Sequence, residues 1–227
     1  MIRELVDEAA SWLRTKDTDQ WAKPWPDQSG RDQRIDEDLI QGRTWLLWDA
    51  GTAVGTITID TDDPVATARN RVWPTHRLAE PALYVHRVIV RRSHAGLGLG
   101  AWLLDWASSV AMRLIGSPLL RIDVWTDNWQ LHSYYRSQGF ELCEYRDARE
   151  LPDYPARALI ERRNTPNARR DHASVFNVDD TAELEIPRRP GDRAGSGAAQ
   201  ARADAFADRR RAAVPPIVAL PRTRSPS

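Results

Sequence analysis

Hydrophobic residues recur at intervals of three or four along two long segments, and this spacing predicts amphipathic helices. Acidic residues lie near the start of the first segment, residues 2–15, where the helix dipole favours negative charge. The periodic positions of that segment are Ile2, Leu5, Val6, Ala9, Ala10 and Leu13. Those of the second segment are Leu99, Leu103, Trp106, Val110 and Leu114. Two shorter helices are predicted over residues 33–41 and 129–138.

Runs of β-branched and aromatic residues predict the strands of one sheet. The segments 44–48 and 53–59 flank a turn that contains Gly51, which is typical of a β-hairpin. Further strands are predicted over residues 81–90, 119–125, 140–145 and 156–161. A helix separates strand 81–90 from strand 119–125, so these two should be parallel and joined by a right-handed crossover. The pattern predicts an α/β fold of the α+β type, with a mixed, mostly antiparallel sheet.

Composition divides the chain into a domain and a tail. The chain has 227 residues, and alanine, arginine, proline, aspartate and glycine dominate it after Arg163. Such a segment buries too little apolar surface to offset the entropy of ordering. We therefore predict a folded domain over residues 1–162 and a disordered, Arg/Ala/Pro-rich tail over residues 163–227.

Charge and cysteine content narrow the functional classes. The 32 basic and 32 acidic side chains give a formal net charge of zero, which does not favour nucleic-acid or membrane partners. Cys143 is the single cysteine, so an internal disulfide framework is excluded and a cytoplasmic location is expected. No apolar run approaches the ~20 residues of a membrane span. No apolar segment typical of a signal peptide follows Met1.

The segment between residues 88 and 104 carries the clearest functional signal. Val88, Ile89 and Val90 predict a strand, and three glycines at alternate positions, 96, 98 and 100, lead into the predicted helix. Glycines are unfavourable inside helices and strands, and they suit a backbone that must approach a ligand closely. Free N–H groups and the helix dipole at such a helix start favour an anion, typically a phosphate.

A dinucleotide-binding site is one interpretation of these glycines. Gly96, Gly98 and Ala101 satisfy the G-x-G-x-x-G/A pattern, and Asp123 follows about 20 residues later. The context disagrees, because residues 91–95 separate the strand from the first glycine and a dinucleotide turn is tight. Asp123 also falls inside its predicted strand, whereas the ribose would lie at the strand end.

The second interpretation rests on two motifs in order. The stretch from Val88 to Gly100 has the form V-x-V, five residues, then G-x-G-x-G, and it resembles motif A of the GNAT N-acetyltransferases. The family's N-x6-Y-x3-G-F signature is matched downstream by Asn128, Tyr135, Gly139 and Phe140. The resemblance covers roughly residues 1–162. One departure is Ala95, where the family usually has Arg or Gln.

The resemblance implies a curved sheet flanked by helices, in which the strands around residues 82–90 and 119–125 splay apart. It also implies acetyl-CoA as the co-substrate and no metal. Val88 is implied to donate its N–H to the oxyanion as well as to pair with the cofactor. The implied cofactor-binding residues are Val88, Ile89, Val90, Ala95, Gly96, Leu97, Gly98, Leu99, Gly100, Ala101 and Asn128.

Acetyl transfer to an amine also needs a base and an acid. The candidate bases are Asp123, His86, Glu80 and a water chain, and Asp123 has the structural alternative of pairing with Arg87 or Arg121. Strand alternation places His86 on one face with Tyr84 and Val88. The motif register selects Tyr135 over Tyr134 as the acid that protonates the thiolate. Each candidate residue also has a purely structural interpretation.

Two other features have paired interpretations. Asn128 precedes a predicted helix, so it is either an N-cap or a cofactor contact, and the two roles are compatible. Trp21 and Trp25 either cover the core or form a wall of the acceptor pocket.

The function expected is an acetyl-CoA-dependent N-acetyltransferase acting on an amine-bearing small molecule or peptide. Homodimer formation is left open. The alternative is a non-catalytic acyl-CoA sensor.

Overall fold

The computed structural model describes residues 1–18, 20–22, 24, 25, 27–49, 51–62, 72–117, 119–148 and 155–163. The helices are α1 (Ile2–Leu13), α2 (Gln28–Ile40), α3 (Leu99–Ile115) and α4 (Trp129–Ser137). The strands are β1 (Thr44–Asp49), β2 (Thr52–Asp60), β3 (Leu83–Val90), β4 (Leu119–Trp125), β5 (Glu141–Arg146) and β6 (Arg157–Arg163). The predicted tail lies, from residue 164 onward, outside the described residues.

The six strands form one sheet in the order β1-β2-β3-β4-β6-β5. The pair β3–β4 is parallel, and the other neighbouring pairs are antiparallel. The predicted mixed, mostly antiparallel α/β fold is therefore confirmed. The strand predicted over 119–125 has the observed bounds of β4, because its apolar run is bounded by turn residues on the C-terminal side.

One helix begins earlier than its sequence pattern predicts. α2 was expected over residues 33–41, and it starts at Gln28. Asp27 caps it by accepting a hydrogen bond from the Gly30 N–H at 2.8 Å. The first turn of α2 has no apolar position, so hydrophobic spacing misses it, and the aspartate cap is the signal that would have found it.

Hydrophobic clusters cover the two faces of the sheet. On one face, buried side chains of α3 pack with strand residues such as Leu83, Val85, Ile122 and Val124, and we call this the α3 cluster. On the other face, Leu5 and Val6 of α1 and Ile35 of α2 pack with Leu46, Ala53 and Ile89, and we call this the α1 cluster. The sheet is thus flanked by helices, and cluster membership shows which way each strand residue faces.

β3 contains a bulge at Arg87 and Val88. The register pairs Thr56 with Ile89 and Thr58 with His86, so two residues of β3 lie opposite the single residue Ile57. Arg87 has φ of +47°, a left-handed conformation that a non-glycine residue rarely adopts. An extra residue of this kind bends a strand and increases its twist.

The bulge reverses the alternation of side chains along β3. Val85 lies in the α3 cluster, and Val88 packs against that same cluster although three positions separate the two residues. Tyr84 packs on the opposite face, in a cluster with Trp73. The predicted shared face of Tyr84, His86 and Val88 is therefore wrong for Val88, because strict alternation does not continue through a bulge.

The splay between β3 and β4 follows directly after their only parallel contacts. The register pairs Leu83 with Leu120 and Tyr84 with Arg121, and the ladder extends no further among the residues described. β4 remains paired with β6 along its whole length, from Leu119 to Trp125. The β4-facing edge of residues 85–90 is thus left without a strand partner in the described part of the chain.

Candidate active site

A cavity of about 850 Å³ opens where β3 and β4 separate. Its walls come from α1, α2, the connection between them, β3, the glycine loop, β4 and α4. Of the residues implied by the resemblance, every one except Leu97 lines it, and the Leu97 side chain is exposed. The structure therefore brings the two motifs, which are separated along the chain, to one site.

The glycine loop forms one end of the cavity. Gly96 and Gly98 have φ of +84° and +74°, so both adopt the left-handed conformation that favours glycine. Gly98 is the N-cap residue of α3 and provides no side-chain cap. A Cβ atom built on Gly96 or Gly98 would meet nothing within 4 Å, so the space above the loop is open. These features fit a pyrophosphate held by backbone N–H groups.

The edge of β3 forms the middle of the cavity. Val88, Ile89 and Val90 line it from the bulge onward, on the stretch that lacks a strand partner toward β4 among the described residues. Backbone N–H and C=O groups at such an edge can pair with an extended ligand as they would with a strand. This placement fits a pantetheine arm along Val88–Val90.

Asn128 is the N-cap of α4 and also lines the cavity. Its Oδ1 accepts a hydrogen bond from the Leu131 N–H at 3.0 Å, and its Nδ2 donates to Gln20 Oε1 at 2.7 Å. A second link joins the same two segments, because Thr18 Oγ1 donates to Asp127 Oδ2 at 3.1 Å. The N-cap interpretation is confirmed, and the cap residue is tied to the α1–α2 connection across the cavity.

Both tyrosines of α4 line the cavity. Tyr135 is buried in the α3 cluster, and its ring packs edge-on against Phe140 and Tyr134 with centroids 5.3 and 5.4 Å away. Burial raises the pKa of Tyr135 far above its ordinary value, and nearby Tyr134 and Asp123 add to that increase. Burial also raises the pKa of Tyr134. Each phenol therefore stays protonated at neutral pH, as a proton donor requires.

His86 and Asp123 lie together on the face opposite Tyr135. Asp123 alternates with Ile122 and Val124 of the α3 cluster, so it points to the α1 and α2 side. His86 Nδ1 is 3.8 Å from Asp123 Oδ1, and the two side chains are 21% and 10% exposed. The acid candidate and this pair of base candidates thus approach the splay from opposite faces of the sheet.

The remaining interpretations of the charged strand residues change. Arg87 pairs with Asp38 of α2, and Arg121 with Glu161 of β6, so the ion pair shown for Asp123 involves His86 instead. Glu80 accepts a hydrogen bond from Arg163 at 2.5 Å and is absent from the cavity wall. Glu80 is therefore not positioned as a base for this cavity.

The connection between α1 and α2 supplies an aromatic wall. Trp21 and Trp25 both line the cavity, and Trp21 also packs against the α1 cluster. Arg34 stacks on the Trp25 ring at 4.5 Å. Trp21 therefore both covers the core and forms part of the cavity wall, and Trp25 forms part of the cavity wall.

An ion-pair network that the sequence pattern does not indicate lies beneath α2. Arg43 bridges Asp38 and Asp60 at 2.7 and 3.1 Å, and Arg87 also pairs with Asp38. All four residues line the cavity. The sequence does not indicate the network, because the pairs from Asp60 to Arg43 and from Arg87 to Asp38 join residues that are distant in sequence.

The described residues contain no group of three or more His, Cys, Asp or Glu side chains arranged to hold a metal ion. None of the helices in the described part of the chain combines the length and the apolar character needed to cross a membrane.

Comparisons with known proteins give the family. The model of the acetyltransferase (GNAT) family matches residues 5–140. YesJ of Bacillus subtilis (strain 168), named as an uncharacterized N-acetyltransferase, is 28% identical over 140 residues, which are 62% of this chain and 74% of that protein.

Solved structures show the same fold. A GNAT family acetyltransferase from Listeria monocytogenes 4b F2365 matches with a TM-score of 0.54 and 19% identity, covering 72% of this chain and 87% of that one. One from Streptococcus agalactiae 2603 matches with a TM-score of 0.51 and 18% identity, covering 72% and 88%. The chain thus belongs to the acetyltransferase (GNAT) family, a family of acetyl-CoA-dependent N-acetyltransferases.

Proposed function

We propose that this protein transfers an acetyl group from acetyl-CoA directly to a primary amine held in the cavity between β3 and β4. The observation that carries the proposal is the convergence of both sequence motifs on that single cavity. The glycine loop, the edge of β3 that faces β4 and Asn128 all line that cavity. Catalytic side chains approach the splay from both faces of the sheet.

Acetyl-CoA, when bound, supplies an activated thioester. The N–H groups around Gly96, Gly98 and Gly100 would hold its pyrophosphate, and Val88–Val90 would align its pantetheine arm. Asn128 would contact the same arm, with its amide oriented by Gln20. The Val88 N–H would donate to the carbonyl oxygen as negative charge develops there, the usual role of an oxyanion donor.

Proton transfer is divided between the two faces. On the α1 and α2 side, Asp123 with His86 accepts the proton of the acceptor amine, directly or through a water. On the α3 side, Tyr135 donates the phenolic proton to the departing sulfur. A protonated phenol is suited to this step because burial raises its pKa and keeps the proton in place. The acceptor therefore enters beside Trp21 and Trp25, away from α3.

The only cysteine supports direct transfer over a route through an acyl-cysteine. Cys143 lies on β5, packs with the cluster around Trp73, and is absent from the cavity wall. Burial and the neighbouring Glu161 carboxylate raise the pKa of its thiol to about 11. A thiol in that state is a poor nucleophile at neutral pH.

A panel of acceptors tests the proposal. The protein is incubated with acetyl-CoA and, separately, a small primary amine, an aminoglycoside-like amine, a lysine side chain and a peptide N-terminus, while free thiol is followed. We expect amine-dependent thiol release with at least one class and acetylated product by mass spectrometry. Initial rates should require both substrates together, with no acetyl-enzyme formed in the absence of amine.

Two outcomes would contradict the proposal. Tight binding of acetyl-CoA without thiol release for any amine would favour the non-catalytic acyl-CoA sensor. A stable acetylated protein, formed before amine is added and chemically competent to acetylate it, would replace direct transfer by a two-step route. The Cys143→Ala variant is the matched control, because direct transfer predicts an unchanged rate for it.

A further inference from the structure

Arg92 stands at the start of the glycine loop, and α1 fixes its backbone. Glu8 Oε1 accepts a hydrogen bond from the Arg92 backbone N–H at 2.7 Å. Glu8 Oε2 accepts another from Arg91 Nη1 at 2.9 Å, and Arg91 Nε donates to the Ala53 carbonyl at 2.7 Å. The first residue of the short turn 92–94 is therefore anchored both to α1 and, through Arg91, to β2.

The Arg92 side chain stacks on an aromatic ring, as Arg34 of the same cavity does on Trp25. Its guanidinium carbon lies 4.2 Å from the centroid of the Trp12 ring. Within the described residues it forms no ion pair, whereas Arg31 pairs with Asp7, and Arg43 and Arg87 with Asp38. Stacking on tryptophan restrains a guanidinium and leaves its N–H donors able to bind an anion.

The anion that fits is the cofactor's pyrophosphate. Arg92 and Trp12 line the same cavity as Gly96 and Gly98, which follow Arg92 in the same loop and have open space where a Cβ atom would lie. Ala95, which also lines that cavity, contributes no charge. An arginine is well matched to phosphate oxygens, because its planar group offers several donors at once.

We propose that Arg92, stacked on Trp12 and anchored by Glu8, supplies the side-chain cation that binds the pyrophosphate of CoA. This inference rests on the proposed function, since it assumes that the cavity binds acetyl-CoA. Arg92 thereby fulfils, from three positions upstream, a role that an arginine at position 95 could serve. The adenosine 3′-phosphate is the other anionic group of the cofactor, and the test separates the two.

Calorimetric affinities for CoA and for 3′-dephospho-CoA test the assignment. We expect Arg92→Gln and Arg92→Ala to weaken both ligands about tenfold, and Arg92→Lys to weaken them less, because charge-assisted hydrogen bonds to phosphate are lost or only partly kept. Adding Ala95→Arg to Arg92→Ala should recover most of the affinity. Arg136→Ala is the matched control, since it removes one exposed arginine of α4 outside the cavity wall.

Each possible result decides the matter. Equal losses for both ligands, with unchanged melting temperatures and no loss in Arg136→Ala, support the pyrophosphate contact. A loss confined to CoA would move the contact to the 3′-phosphate and overturn the assignment. Unchanged affinity in Arg92→Gln and Arg92→Ala would overturn it as well. A wild-type protein that binds CoA but acetylates no amine contradicts only the proposed function, and one that binds no CoA overturns both.

Discussion

The hydroxyl oxygen of Tyr134 lies so close to Gly100 that a Cβ atom added to the glycine would be 2.5 Å from it. The next ring atom, Cζ, would be 3.5 Å away, which is an ordinary contact. Gly100 is the second residue of α3, so this contact joins the first turn of α3 to α4. The phenolic oxygen of Tyr134 is thus what requires a glycine at position 100.

Gly100→Ala should destabilise the protein by about 1–3 kcal/mol, the usual cost of overpacking, because the Tyr134 ring is restrained by Tyr135. In a Tyr134→Phe background the hydroxyl is absent, so the alanine Cβ meets no clash. There it should stabilise by about 0.5–1 kcal/mol, the gain from replacing a helical glycine by alanine. Denaturant unfolding of the four proteins measures this coupling. Equal effects in both backgrounds would show that the hydroxyl does not restrict position 100.

Tyr135→Phe should lower kcat by roughly tenfold or more with little change in acetyl-CoA affinity, because it removes the proton donor for the leaving sulfur. Tyr134→Phe is the matched control and should lower kcat much less. Since burial raises the pKa of Tyr135, its proton is retained as pH rises, and no alkaline loss of rate from this phenol is expected below about pH 10. Steady-state kinetics from about pH 6 to about pH 10 would measure kcat of both variants and of the unsubstituted protein. Exchanged behaviour of the two variants would make Tyr134 the donor.

Asp123→Asn should reduce kcat by about 10²–10⁴-fold, the typical contribution of a positioned base, because it removes the carboxylate beside His86. His86→Gln should also lower kcat. Asp36→Asn, on the outer surface of α2 and paired with Arg3, is the control of equal charge. Rates that fall equally in Asp36→Asn would show an effect of net charge. Unchanged rates in both Asp123→Asn and His86→Gln would leave water as the base.

Gly98→Asp should weaken acetyl-CoA binding at least about tenfold, or about 1.4 kcal/mol, because it places a carboxylate beside the expected pyrophosphate. The side chain itself has room, since a Cβ atom on Gly98 meets nothing within 4 Å. Gly98→Asn is the control, because asparagine has nearly the same shape and also tolerates a positive φ. Calorimetry that finds equal affinities for the two variants would show that charge at this position is irrelevant.

Truncation after Arg163 should leave kcat and the melting temperature unchanged. β6 ends at Arg163, and the cavity wall consists of residues between Leu5 and Gln138. We therefore propose that the acetyltransferase domain, predicted over residues 1–162, includes Arg163 as the end of β6 and that residues 164–227 are dispensable for catalysis. A large fall in either quantity would show that the tail contributes to the folded enzyme.

The sequence predicts the sheet and the conformation of the glycine loop well, because those features depend on local patterns. β4 has apolar residues at every position except Arg121 and Asp123, and Gly96 and Gly98 are needed for a positive φ in the loop. The N-cap role of Asn128 is likewise local, since its Oδ1 bonds to an N–H three residues later. Short-range requirements of this kind leave a visible residue type at a visible spacing.

Contacts between residues that are distant in sequence could not be predicted in the same way. The bulge occurs at Arg87, and an arginine gives no indication that its φ is positive. Its partner Asp38 lies on α2, and the link from Gln20 to Asn128 crosses most of the domain's sequence. Arg92 resembles any basic loop residue until Trp12 and Glu8 are found beside it.

The single extra residue in β3 determines which side chains of the strand face the α3 cluster after the bulge. Side-chain direction along a strand depends only on whether a position is odd or even, and one inserted residue exchanges the two classes from that point onward. Val85 and Val88 share a face for this reason. No substitution can reverse that exchange, because a substitution replaces a side chain without changing the number of residues in the strand. The faces on which Val88, Ile89 and Val90 lie thus depend on chain length at one position rather than on the identity of any side chain.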